Sequence, residues 1–120
     1  GQAKAKTAQT RYKIEDLKLT ELDLTNGIKL QVEKAYLDIQ EASDRLETSQ
    51  SILDMAEEAY RISDLSYNAG FTKQIDVLDA AHGLTQAKLN HAKSQFDYET
   101  AKTLLALACG LFSLTDESNL

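Results

Sequence analysis

Twelve positions between Ile28 and Tyr67 limit what this chain can fold into. Ile28, Val32, Ala35, Ile39, Ala42, Leu46, Ser49, Leu53, Ala56, Tyr60, Ser63 and Tyr67 follow one another in alternating steps of four and three. A mean step of 3.5 keeps a row of side chains on one face of an α-helix, and a strand with its period of two cannot use it. A narrower row, Ile52, Met55, Ala59, Ile62 and Ser66, runs beside the first. The same arrangement returns downstream. Val77, Ala80, Leu84, Ala87, His91, Ser94, Tyr98, Ala101, Leu105 and Ala108 form a second seam, flanked by Leu78, His82, Thr85, Leu89, Ala92 and Phe96. Seams this rich in Ala and Ser leave little side-chain volume between backbones, so the helix axes can approach closely.

Only one strong break separates the two segments. Residues 67–74 read Tyr-Asn-Ala-Gly-Phe-Thr-Lys-Gln. Asn68 and Gly70 suit a helix C-terminus, because glycine reaches the left-handed conformation without steric cost. Thr72 is a candidate N-cap for the next helix. The fold predicted is all-α: a long antiparallel coiled-coil hairpin with helices over about 3–68 and 74–112. At 1.5 Å per residue these arms are about 100 Å and about 58 Å long. A candidate break lies near Asn26-Gly27. Upstream of it Ile14, Leu17, Glu21, Leu24 and Ile28 also alternate in steps of three and four, and the two successive steps of four from Leu24 through Ile28 to Val32 imply a slip of heptad phase. The shorter second arm leaves residues 1–29 without a partner, so they overhang, fold back or pack on another copy. Residues 1–112 are one hairpin segment, and 113–120 are expected to fray.

Composition agrees with helices and excludes several classes. The chain has 120 residues with no Pro, no Trp and five Gly, which disfavours a β-sandwich or a Gly-rich nucleotide fold. Thirteen Lys and Arg against nineteen Asp and Glu give a net charge of −6, which argues against nucleic acid as a partner. The single cysteine, Cys109, cannot form an internal disulfide and is expected to be a small buried side chain. The longest apolar run is far below the ~20 residues of a membrane-spanning helix, so the segment is read as soluble and without membrane contact. A chain starting at glycine reads as a mature product or as a segment of something larger.

No catalytic chemistry is apparent. His82 and His91 are not at the i, i+4 spacing of a helical metal pair, and His91 lies on the seam as a core histidine. No Gly-rich phosphate loop is present, and the serines lack a His/Asp setting. No enzyme activity, cofactor or metal is expected. The double stripes leave two architectures open: an ordinary three- or four-helix bundle, or a helix in a closed ring whose second stripe meets a second neighbour.

The turn and its flanks resemble the TolC family of outer-membrane efflux proteins. The resemblance rests on Tyr67-Asn68-Ala69-Gly70, then Asp76-Val77-Leu78-Asp79-Ala80 opening the next helix, then Leu84 and Ala87. Ala56-Glu57-Glu58-Ala59-Tyr60 before the turn, Leu104 to Gly110 at the close and Gly1 to Ala5 at the start are also similar. It covers residues 1–112 and matches the second-repeat periplasmic α-helical hairpin. It implies a trimeric channel with a β-barrel in the outer membrane and a helical cylinder in the periplasm. It also implies two partners, a periplasmic adaptor (membrane fusion) protein and an inner-membrane transporter.

The resemblance further implies that the turn at 68–73 is the periplasmic entrance tip, with Tyr67, Ala69, Gly70, Phe71, Thr72 and Lys73 at the adaptor contact. Asp76 and Asp79 become pore-facing acidic rings. Their i, i+3 spacing puts both on one helix face, and three copies of each would favour cations. Acids in a helix's first turn also complement its dipole, and both roles can coexist. Some family members place arginine two residues after the glycine. Here Thr72 holds that position and Lys73 is the base, which leaves the entrance lock of those members in question because lysine lacks a planar fork. Phe71 either meets a partner or tucks under the turn. The competing function is a free-standing coiled-coil interaction module.

Overall fold

The computed structural model describes the backbone of residues 1–118 and the side chains of residues 1–116. Two helices account for nearly all of it: α1 over Gln2–Asn68 and α2 over Gln74–Ser118. No strand occurs among the described residues. The chain divides into two compact units, Leu37–Thr103 around the turn and Gly1–Tyr36 together with Leu104–Leu120.

In the unit around the turn the heptad rows pack on each other. Ala42 and Ala87 are the most covered side chains, at 2% and 4% exposure, and Ser49 and Ala101 are buried with them. The other row positions in this unit are half-buried, from Ile39 to Ser63 and from Val77 to Tyr98, while Tyr67 at the end of the first row is exposed. Alanine at the most covered points has a simple cause: where two axes pass closest, only a methyl group fits. The flanking stripes receive no such cover. Ile52, Met55, Ile62, Leu78, Leu89 and Phe96 all stay exposed.

In the other unit, Ala108 is buried, and Thr25, Ile28, Val32, Ala35, Leu105 and Thr115 are half-buried. Every side chain from Gly1 to Leu24 is exposed. α1 continues through this stretch unbroken, so residues 1–29 do not fold back.

Several expectations need correction. The candidate break at Asn26-Gly27 is absent, since both residues are inside α1. The phase slip is absent too: the covered row reaches Val32 through Thr25 and Ile28, while Leu24 points outward. Thr25 is tolerated in the row because its hydroxyl donates to the Glu21 carbonyl at 2.9 Å. α2 runs past Gly110 to Ser118 instead of ending near 112, because glycine inside a helix weakens it without breaking it. Residues 113–118 are thus helical, and 119–120 lie outside the described residues. Cys109 is exposed, since Ala108 holds the seam position and the next residue is turned about 100° away from it.

Candidate functional site

The turn between the helices is built by backbone chemistry that the sequence makes available. α1 ends with the Ala69 N–H donating to the Leu65 carbonyl at 3.0 Å. The Gly70 N–H then donates to Tyr67 at 3.0 Å and the Phe71 N–H to Ser66 at 2.8 Å. These two bonds are a Schellman closure, which satisfies carbonyls that would otherwise be left open at the helix end. It requires one residue in the left-handed region, and Gly70 supplies it with φ +83°. The motif often adds an apolar contact between the residue after the glycine and one in the last helical turn. Here the two candidate residues are Ser66, which is polar, and Leu65, which is itself exposed, and Phe71 stands 85% exposed. Of the two sequence readings for Phe71, tucking under the turn is therefore excluded.

α2 starts differently from the sequence expectation. Thr72 is not its cap: the Thr72 hydroxyl is buried and has no hydrogen-bond partner. Lys73 takes the capping position, with its carbonyl accepting from the Asp76 N–H at 3.1 Å. The Asp76 carboxylate reaches back and accepts from the Lys73 N–H at 3.3 Å, which is the return half of a capping box. Asp76 is the acid in the first turn of α2, where it also complements the helix dipole. Asp79 lies one turn further on, also exposed. Tyr67, Ala69, Gly70 and Lys73 are exposed around the same tip.

Up α1 from the tip, Glu58 and Arg61 form a two-point ion pair, Nε to Oε2 at 2.9 Å and Nη2 to Oε1 at 2.5 Å. The hydrogen bonds from Arg61, with its charge, hold the Glu58 carboxyl below its ordinary value. Glu58 raises the Arg61 guanidinium in return. Both groups are exposed to solvent, so the pair is screened and marks a hydrated face of the arm.

One contact across the arms was not anticipated as a pair. Ser49 Oγ lies 3.1 Å from His91 Nδ1. Both are seam residues, and both lie twenty-one positions from Gly70, the distance of three heptads on either side. Counting outward from the turn glycine would have found the match. His82 is exposed and lies apart from this contact, and no cluster of potential metal ligands occurs among the described residues. No described helix is long and apolar enough to cross a membrane.

Comparison with curated proteins returned no match, and comparison with solved structures returned none either. The family model described as outer membrane efflux protein matches residues 2–111, which covers both helices and the turn between them. With two long heptad helices closed by a Tyr-x-x-Gly turn, and with this match over nearly its whole length, the chain belongs to the outer membrane efflux protein family, whose members are channel and transport components.

Proposed function

We propose that this chain is a periplasmic α-barrel segment of a trimeric outer-membrane efflux or secretion channel, with the turn at 68–73 as the entrance tip that meets an adaptor protein. The observation that carries this reading is the pair of exposed stripes beside the covered seam. Ile52, Met55 and Ile62 on α1 and Leu78, Leu89 and Phe96 on α2 remain in solvent although the seam between the arms is closed. A self-sufficient coiled-coil module has no use for a second apolar stripe on each arm, whereas a helix in a closed ring needs one for its next neighbour.

In that ring Asp76 and Asp79 face the pore near its entrance and are repeated three times. Their exposure and their position in the first two turns of α2 support this. Stacked carboxylate rings attract cations and select for cationic cargo. Phe71 and the small residues Ala69 and Gly70 present the surface on which an adaptor's helical tip docks, and an inner-membrane transporter completes the assembly. The test is conductance of the full-length parent in planar bilayers. Asp76→Asn with Asp79→Asn is expected to change resting conductance and to weaken block by multivalent cations. Unchanged conductance and block in the double variant would remove both residues from the pore.

A further inference from the structure

We propose that the polar row lying one residue before the α2 seam lines the lumen of the ring, and that Gln86, Asn90 and Lys93 extend its selective surface beyond Asp76 and Asp79. The inference rests on the ring reading above and adds which face of the hairpin turns inward. In the unit around the turn the two arms are patterned in opposite senses. On α1 the residues one before the seam are apolar: Ile52, Met55, Ala59 and Ile62 precede Leu53, Ala56, Tyr60 and Ser63. The residues one after it are polar, among them Gln50, Asp54, Glu57 and Arg61. On α2 the order is reversed. The residues one before its seam begin with Asp76 and Asp79 and continue, past Gly83, through Gln86, Asn90, Lys93, Asp97 and Thr100. The apolar stripe from Leu78 to Phe96 lies one or two residues after the seam.

Angles decide which face is inward. At a heptad seam each residue advances about 103° around its helix. The α1 stripe is therefore turned about 103° from the seam in the preceding sense, and the α2 stripe about 154° in the following sense. Because the arms run antiparallel, preceding positions on both arms share one face of the hairpin, and following positions share the other. Measured from seam to stripe, the preceding face spans about 310° over the two helices and the following face about 410°. In a closed ring the lumen side takes less than half a turn per helix, hence less than one full turn for two. Only the preceding face meets that condition.

The same angles push α2 toward the lumen and set α1 back, so the α2 row supplies the inner wall. On this geometry Asp76 and Asp79 fall on that wall without use of the family resemblance. The row is open to solute: Asp76, Asp79, Gln86, Asn90, Lys93 and Thr100 are exposed, and Asp97 is half-buried. From α1 the same face carries Arg45, whose guanidinium is held by Glu41 at 2.7 Å. Past the two acidic levels a solute thus meets carboxamides, and about 21 Å beyond Asp79 it meets Lys93. Repeated in each protomer, these side chains form a hydrated wall that favours polar, hydrogen-bonding cargo. Apolar cargo finds no dry strip along it.

The test uses the full-length parent in planar bilayers, in a Cys109→Ser background with one new cysteine at a time. Gln86→Cys, Asn90→Cys and Thr100→Cys probe the proposed wall. Lys88→Cys and Gln95→Cys, one residue after the seam and also exposed, probe the other face. Each is treated with a membrane-impermeant sulfonate thiol reagent, and mass spectrometry verifies the labelling. Relative to the same unlabelled variant, conductance is expected to fall by about a quarter or more at the wall positions and to stay within about 5% at the other two. At Lys93→Cys the sulfonate reagent should shift the reversal potential toward cation preference, and a trimethylammonium reagent should not. Conductance loss confined to positions 88 and 95, equal changes in both sets, or no change at labelled wall positions would overturn the proposal. Each of these outcomes leaves the duct reading standing, because the parent still conducts. A parent that forms no channel would end both.

Discussion

Ser49 and His91 touch across the two arms of the hairpin, Oγ to Nδ1 at 3.1 Å, three heptads from the turn on either side. The Ser49 hydroxyl also lies 2.8 Å from the Leu46 carbonyl and donates its one hydrogen there. The contact to His91 must then have the ring Nδ1–H as donor, which sets the orientation of the imidazole. A polar pair in an alanine-rich seam distinguishes one alignment of the arms from its heptad-shifted neighbours. Ser49→Ala is expected to lower stability by about 1 kcal/mol, because it leaves the histidine donor half-buried without its acceptor. A double-mutant cycle with His91→Leu, followed by urea unfolding, should show coupling of about 0.5–1.5 kcal/mol. Strict additivity would mean the contact contributes nothing.

The seam at Ala87 is set by volume. At 4% exposure its methyl group has no room to grow. Ala87→Leu is expected to cost about 1–3 kcal/mol by pushing the arms apart. Cys109→Leu, one position off the seam and exposed, should change the melting temperature little. Equal effects at both sites would contradict the assignment of the seam.

Glycines in the turn and in the arms are expected to respond with opposite signs. Gly70 has φ +83°, so Gly70→Ala forces a side chain into the left-handed region and should destabilise by about 1 kcal/mol. Gly27 and Gly83 are helical, with nothing within 4 Å of an added Cβ. Gly27→Ala or Gly83→Ala should therefore stabilise by about 0.5–1 kcal/mol. Thermal melts of the three variants check the sign.

Acid should act on the Glu58–Arg61 pair in one direction. The Glu58 carboxyl is held below its ordinary value, so the folded state binds that proton less readily than the unfolded chain. Its contribution is full above the ordinary carboxylate range and fades as pH falls through the depressed value. Because both groups are exposed, Glu58→Gln is expected to leave the neutral-pH melting temperature within measurement scatter. The variant should lose slightly less stability than the parent on acidification. A large loss at neutral pH would show that the pair is buried in an assembly that the isolated chain does not reveal.

The architecture was legible because periodicity is a property of the chain itself. The two rows that the spacing picks out are the rows that become covered, except at Tyr67, and Gly70 is the turn. Three details were not legible, for separate physical reasons. Thr72 has the side chain of an N-cap, but the closure after Gly70 carries the backbone one residue further, and Lys73 with Asp76 does the capping. Leu24 looks like a seam residue by hydropathy, yet geometry assigns that place to Thr25, whose hydroxyl is satisfied by its own helix. Gly110 and Gly27 resemble helix stops but lack the left-handed conformation that ends one. At the tip, the acids could be placed on α2 from spacing, whereas the return bond from Asp76 depends on where the cap falls.

The proposed closure of a ring through the stripes beside the seam is checked by maleimide labelling of single cysteines at Met55, Ile62, Leu89 and Phe96, in a Cys109→Ser background. Rapid labelling is expected at these positions in the isolated chain, where they are exposed, and strong protection in the assembled full-length channel. Equally rapid labelling of all four positions in both would contradict it.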